Sequence, residues 1–143
     1  MIYHCAIGAD HRGYFLKKAL IEYYSAQYNF LDVGTHSSER TDYPLFAHPV
    51  AECLLAGTVQ IGILLCGTGA GMAIAANRSK KIYAAVAWNP EIARRVKEED
   101  NCSILVLPAD YVTLDESIAI IDAWQNAQYK AGRYEDRIAL LDS

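Results

Sequence analysis

The sharpest chemical signal in the chain is the segment Ile63–Asn77, ILLCGTGAGMAIAAN. An apolar run ends in Cys66, then come Gly67, Thr68, Gly69, Ala70 and Gly71, then a stretch of small residues. Glycines let a backbone turn sharply and aim consecutive N–H groups at one point, and a helix opening there adds its positive end. The pattern is an anion cradle with a thiol beside it, where backbone dipoles favour the thiolate. That pairing suits removal of a proton alpha to a carbonyl while N–H donors hold the enediolate oxygen. A buried structural cysteine in an ordinary tight turn fits the same spacing, and spacing alone does not separate the two. The segment is not the dinucleotide fingerprint: Met72 stands where the last glycine of G-x-G-x-x-G belongs, and the segment follows the third strand. It also lacks the G-K-[ST] of a P-loop.

Three other segments carry candidate groups. In GADHRG, Gly8–Gly13, Asp10 suits sugar hydroxyls, and His11 suits an anion or a proton transfer. The alternative is an Asp10 that caps the next helix beside an exposed histidine. In SSERTDYP, Ser37–Pro44, Tyr43 is placed to cover a small ligand, or the segment is simply a turn-forming loop before a proline-started helix. In GRYEDR, Arg133 and Arg137 are four apart and share a helix face. Two guanidinium forks on one face match a phosphate; the other reading is a solvated pair beside Glu135 and Asp136. His4, His36 and His48 read as structural or exposed, Trp88 and Trp124 as packing residues, and Lys97–Asp100 as a solvated face.

These groups need a scaffold, and the rest of the chain describes one. Strands are expected over Tyr3–Gly8, Phe30–Val33, Ile61–Cys66, Ile82–Ala87 and Ser103–Leu107. Helices are expected over Tyr14–Gln27, with Leu16, Ala19, Leu20 and Tyr23 on its apolar face, from Pro44 to about Ala56, and from Pro90 to about Asp100. Two more are expected over Leu114–Gln128 and Arg133–Leu141, and Thr35–Tyr43 reads as a loop. Buried strands alternating with helices imply a parallel sheet covered on both faces, with ligands beyond the carboxyl ends of the strands. The candidate segments after the first, second and third strands fall there.

Composition sets the outer limits. The chain has 143 residues, is 52% hydrophobic and 21% charged, and carries a net charge of −4. That is one globular domain, residues 1–143, with chain enough for a single core. A mildly acidic chain without a basic run is a poor partner for nucleic acid or an anionic membrane. Residues 53–77 hold no charge, but glycines, threonines and Gln60 break the apolar run, so it is not read as a membrane span. The four cysteines form no C-x-x-C pair and have no histidine at metal-ligand spacing. With no export signal in view, they read as reduced thiols of a cytoplasmic protein.

Taken together, GADHRG, GTxSSERTDYP, CGTGAGMAIAAN, the ILVLP strand and DAWQNAQYKAGRYEDR resemble the type B ribose-5-phosphate isomerases, a family that also holds allose- and galactose-6-phosphate isomerases. The resemblance runs nearly end to end. It implies a three-layer α/β/α sandwich with five parallel strands in the order 2-1-3-5-4. The implied activity is aldose–ketose conversion of a phosphorylated sugar, with ribose 5-phosphate and ribulose 5-phosphate first and allose or galactose 6-phosphate as alternatives. A phosphosugar-binding paralogue without turnover is the non-enzymatic alternative. The resemblance makes Cys66 the base and gives the enediolate to Thr68 and the amides of Gly67, Gly69, Ala70 and Gly71. Asp10, His11 and Tyr43 face the sugar, and Arg133 and Arg137 hold the phosphate. It implies no metal and no organic cofactor, and a homodimer or homotetramer whose sites are shared between subunits.

The sequence departs from that pattern before and after the fifth strand. Glu99 stands where the family carries the histidine that opens the sugar ring, and Asp100 where it carries a substrate-contacting asparagine. Glu99 is therefore expected to be the ring-opening acid, provided burial among acidic neighbours keeps it protonated. Asp110 replaces a phosphate-binding arginine, which is expected to remove one positive charge from the phosphate pocket and add a negative one.

Overall fold

The computed structural model describes residues 1–143. In chain order the elements are β1 (Tyr3–Ala9), α1 (Tyr14–Tyr23), β2 (Tyr28–Asp32), α2 (Pro44–Leu55), β3 (Ile61–Cys66), α3 (Ala70–Ala76), β4 (Ala84–Val86), α4 (Pro90–Asp100), β5 (Ile104–Pro108), α5 (Leu114–Asn126) and α6 (Arg133–Leu141). All strand pairs are parallel, and the sheet order is β2-β1-β3-β5-β4. This is the expected α/β/α sandwich in the expected order.

Strand periodicity divides the core into two halves. Successive side chains alternate between faces. Cys5, Ile7, Ala9, Ile63, Leu65, Leu105 and Leu107 therefore point to one side, where they meet Leu20, Tyr24, Ile120 and Trp124. Ala6, Leu64, Cys66, Ile104 and Val106 point to the other, against Ala47, Val50, Met72 and Ala76 of α2 and α3. Cys66 thus belongs to the face covered by α2 and the small-residue helix α3. Trp124 is fully buried and donates its indole N–H to the Cys102 carbonyl at 2.9 Å. Truncating such a side chain to alanine costs about 3–5 kcal/mol.

The differences from the expected elements have local causes. Helix α1 ends four residues early. Tyr24 enters the core with its hydroxyl 2.7 Å from Asp122, and the Tyr28 N–H bonds to the Tyr24 carbonyl, so β2 begins at Tyr28. The buried face of α1 is Lys17 and Leu20, while Tyr23 of the expected face is 53% exposed. Strand β4 is shorter than expected, and on its outer edge the Asn77 amide bonds both the N–H and the carbonyl of Ala84, each at 2.8 Å, in the place of a neighbouring strand. Trp88, expected to pack, is 57% exposed just beyond β4. Lys17 donates to the Thr35 carbonyl at 2.8 Å and pairs with Asp32, which ties the end of β2 and the loop after it to α1.

No helix is long and apolar enough to cross a membrane.

Candidate active site

At the carboxyl edge of the sheet the tips of β1, β3 and β5 lie side by side. The Asp10 N–H bonds to the Leu65 carbonyl, and the N–H groups of Ala109 and Asp110 bond to the carbonyls of Cys66 and Gly67. A cavity of about 370 Å³ opens over these tips. Asp10, Tyr43, Cys66, Gly67, Thr68 and Gly71 line it, and so do Arg12, Asp110 and Tyr111.

Cys66 is 4% exposed. Burial pushes its thiol up; the N–H groups of Met72 and Gly69 pull it back, the Asp10 carboxylate adds to the rise, and the Gly71 N–H opposes it. The net shift is upward. The expectation of a thiolate favoured by backbone dipoles is corrected here: the amides offset desolvation only in part. Gly69 takes φ 81°, the left-handed region where glycine meets no Cβ penalty, and caps α3. The Ala70 N–H is taken by the Thr68 hydroxyl oxygen at 3.2 Å. The N–H groups of Gly67 and Thr68 have no acceptor within the chain and remain available to a ligand oxygen.

Asp10 is 6% exposed. Its Oδ1 accepts from the N–H groups of Arg12 at 2.9 Å and Gly13 at 3.3 Å, so it closes the turn that leads into α1 while its other oxygen carries no partner. The capping reading and the ligand reading are thus served by different atoms of one carboxylate. His11 lies outside the lining of the cavity, with Nδ1 3.2 Å from both the N–H and the carbonyl oxygen of Thr41. The Tyr43 ring packs against the glycine loop at Gly71. A Cβ built at Gly71 would come within 2.7 Å of its ring, so only glycine lets the ring approach this closely.

The remaining expected site residues are elsewhere in the chain. The start of β5, Ile104, pairs with Gly62, whereas Cys66 pairs with Pro108 at the other end. Four strand steps of about 3.3 Å put roughly 13 Å between the two edges. Glu99 and Asp100 precede β5 and lie at the amino edge. Helix α6 lies there too: the Lys130 N–H bonds to the Glu98 carbonyl, and Asp142 bonds the Lys81 N–H and the Tyr83 hydroxyl. One chain therefore does not bring Glu99, Asp100, Arg133 or Arg137 to the Cys66 cavity. Glu99 is ion-paired with Arg95 at 3.1 Å, so a cation meets it in addition to its acidic chain neighbours. Arg133 and Arg137 flank the Tyr134 ring, 5.0 and 5.8 Å from its centre, and neither forms an ion pair with Glu135 or Asp136.

Comparison with known proteins settles the lineage. The model of the Ribose/Galactose Isomerase family matches residues 5–141. The chain belongs to the ribose/galactose isomerase family. Ribose-5-phosphate isomerase B of Escherichia coli (strain K12) is 40% identical over 137 residues, which is 95% of this chain and 92% of that protein. A crystal structure of a ribose 5-phosphate isomerase from Thermotoga maritima superposes with a TM-score of 0.96 at 38% identity, covering 98% of this chain and 97% of that one. A ribose-5-phosphate isomerase B from Mycoplasma genitalium, crystallised with bound ribulose-5-phosphate, superposes with a TM-score of 0.92 at 35% identity, covering 99% and 95%.

For a member of this isomerase family, the cavity holds two groups that sequence reasoning passed over. Arg12 was part of the GADHRG segment but carried no assigned role, and Tyr111 was not singled out. The pairing of Arg12 with Asp110 joins residues 98 positions apart, and only the neighbouring tips of β1, β3 and β5 bring them together. The Asp110 carboxylate is therefore not the bare negative charge expected from the lost arginine: the Arg12 Nε donates to its Oδ2 at 2.7 Å, and Nη2 bonds the same oxygen.

Proposed function

We propose that this isomerase interconverts ribose 5-phosphate and ribulose 5-phosphate by proton transfer through an enediolate, with Cys66 as the base. The observation that carries this reading is the buried Cys66 sulfur at the floor of the carboxyl-edge cavity, beside the free N–H groups of Gly67 and Thr68. The ribulose-5-phosphate bound to the Mycoplasma genitalium relative supports the choice of sugar. In the open-chain aldose the Cys66 thiolate takes the C2 proton, and the electron pair moves to the C1 oxygen. The developing oxyanion meets the Thr68 hydroxyl and the two free N–H groups. The C2 hydroxyl proton passes to the C1 oxygen, the thiol returns its proton to C1, and the ketose forms with a C2 carbonyl and no net change of redox state. Asp10 holds a sugar hydroxyl through its free oxygen, and Tyr43 covers the ligand.

The amino-edge residues enter this scheme from a second copy of the chain. Glu99, with Asp100, Arg133 and Arg137, would complete the cavity of a neighbouring subunit in a homodimer or homotetramer, and it serves as the ring-opening acid there only once its ion pair with Arg95 opens. Neither Arg133 nor Arg137 is paired with a carboxylate, and only Arg133 Nη2 is engaged, by the Tyr134 hydroxyl at 3.2 Å, so most of their donors are left for a phosphate. The free thiols support a cytoplasmic setting.

The test is exchange of the C2 proton of ribose 5-phosphate with deuterated solvent. Wild type is expected to exchange it and to make ribulose 5-phosphate. Cys66→Ala is expected to lose both by about 10²–10⁴-fold with an unchanged far-UV spectrum, and Cys66→Ser to recover little. Activity of Cys66→Ala within a factor of two of wild type would remove Cys66 from the mechanism.

A further inference from the structure

The geometry points to Arg12 as the cation that this chain itself supplies to the substrate's phosphate, with Asp110 as its positioning residue. This rests on the sugar-phosphate reading above and adds a phosphate contact at the carboxyl edge. Arg12 is the only cationic side chain lining the Cys66 cavity. Its backbone is fixed by the Asp10 carboxylate, and that of Asp110 by the Gly67 carbonyl, so both ends of the ion pair are anchored to the strand tips that carry the thiol. The pair lies directly over Gly67: a Cβ there would come within 2.7 Å of both Arg12 Nε and Asp110 Oδ2.

Asp110 takes both of its bonds through one oxygen and leaves Arg12 Nη1 without a partner. A guanidinium already ordered by a carboxylate keeps its remaining donors in a fixed plane, the geometry that suits a phosphate oxygen. The Arg12 side chain is 57% exposed, so the anion reaches it from solvent. The carboxylate that orders Arg12 also offsets part of its charge. The two members of the pair therefore act on an anion with opposite sign.

That opposition supplies the test. Inorganic phosphate is titrated calorimetrically against wild type, Arg12→Ala, Arg12→Lys and Asp110→Asn, and KM and kcat for ribose 5-phosphate are measured in parallel. Arg12→Ala is expected to raise the phosphate Kd and KM together by about 10–100-fold, with the loss far larger in KM than in kcat. Arg12→Lys is expected to recover part of it. Asp110→Asn keeps an acceptor for Arg12 and drops the opposing charge, so it is expected to lower both constants. If Arg12→Ala leaves both within a factor of two, or if Arg12→Ala and Asp110→Asn shift them in the same direction, the pair is merely structural and the inference fails. A wild type that binds phosphate through Arg12 yet shows no C2 exchange would sink the isomerase reading and leave the phosphate contact standing.

Discussion

At the scale of the residue, Cys66 is governed by two opposing effects. Desolvation holds its proton on, and the amides of α3 and the glycine loop make the thiolate tolerable. Because the net shift is upward, the fraction of thiolate in the free protein is small at neutral pH. A base is active only when deprotonated. We therefore expect kcat/KM for ribose 5-phosphate to rise with pH through a limb above the ordinary thiol value of about 8.5. The profile of kcat/KM between pH 6 and 10 checks this, and a plateau already reached by pH 7 would contradict an upward-shifted base. The cysteine and its glycine loop were legible in the sequence because their chemistry is local: a strand tip, a turn and a helix start within one short segment. Arg12 was not, because its partner is remote in sequence and its role depends on which strands are neighbours.

At the scale of the element, strand interiors could be read from apolar runs, but their ends could not. Helix α1 stops where a single side chain, Tyr24, enters the core, and the outer edge of β4 is closed by another, Asn77; neither contact has a periodic signature. Helix α6 depends on a similar contact at its end. Asp142 accepts from the Tyr83 hydroxyl at 2.7 Å and the Lys81 N–H at 3.0 Å, and those donors, Tyr83 first, hold its carboxyl below the usual range. A carboxyl whose pKa is depressed by folding contributes stability above its unfolded value of about 3.9 and loses it as the pH falls through the lower folded value. Docking of the end of α6 is thus present at neutral pH and lost in acid. Asp142→Ala is expected to mimic that loss. Amide exchange in residues 138–141 should quicken, and KM should rise several-fold while kcat holds, since α6 carries Arg133 and Arg137. Unchanged exchange in α6 would show that its buried Ile138 alone holds it.

At the scale of the whole molecule, the parallel sheet sends its strand tips to one edge and the ends of α4 and α5 to the other. The fold class and the carboxyl-edge location of Cys66 follow from alternation of strand and helix, which is why they could be read in advance, whereas the strand order came from the family resemblance alone. No such rule puts Glu99 or Arg137 beside Cys66, and within one chain the sheet keeps them apart. If the cavity is completed by a second copy, two defective chains can repair each other. Cys66→Ala lacks the base but keeps the amino-edge residues, and Arg137→Ala has the opposite defect. When the two variants are unfolded together and refolded as a mixture, a hybrid dimer contains one cavity with both defects and one with neither. Random pairing makes half of the dimers hybrids, so the mixture should regain roughly a quarter of wild-type kcat/KM per chain, measured at low substrate, where each variant alone shows a small fraction. Recovery requires that base and arginine come from different chains. A mixture no more active than the mean of the separate variants would mean that the two half-sites do not meet across an interface, and that Arg137 serves the chain in some other way.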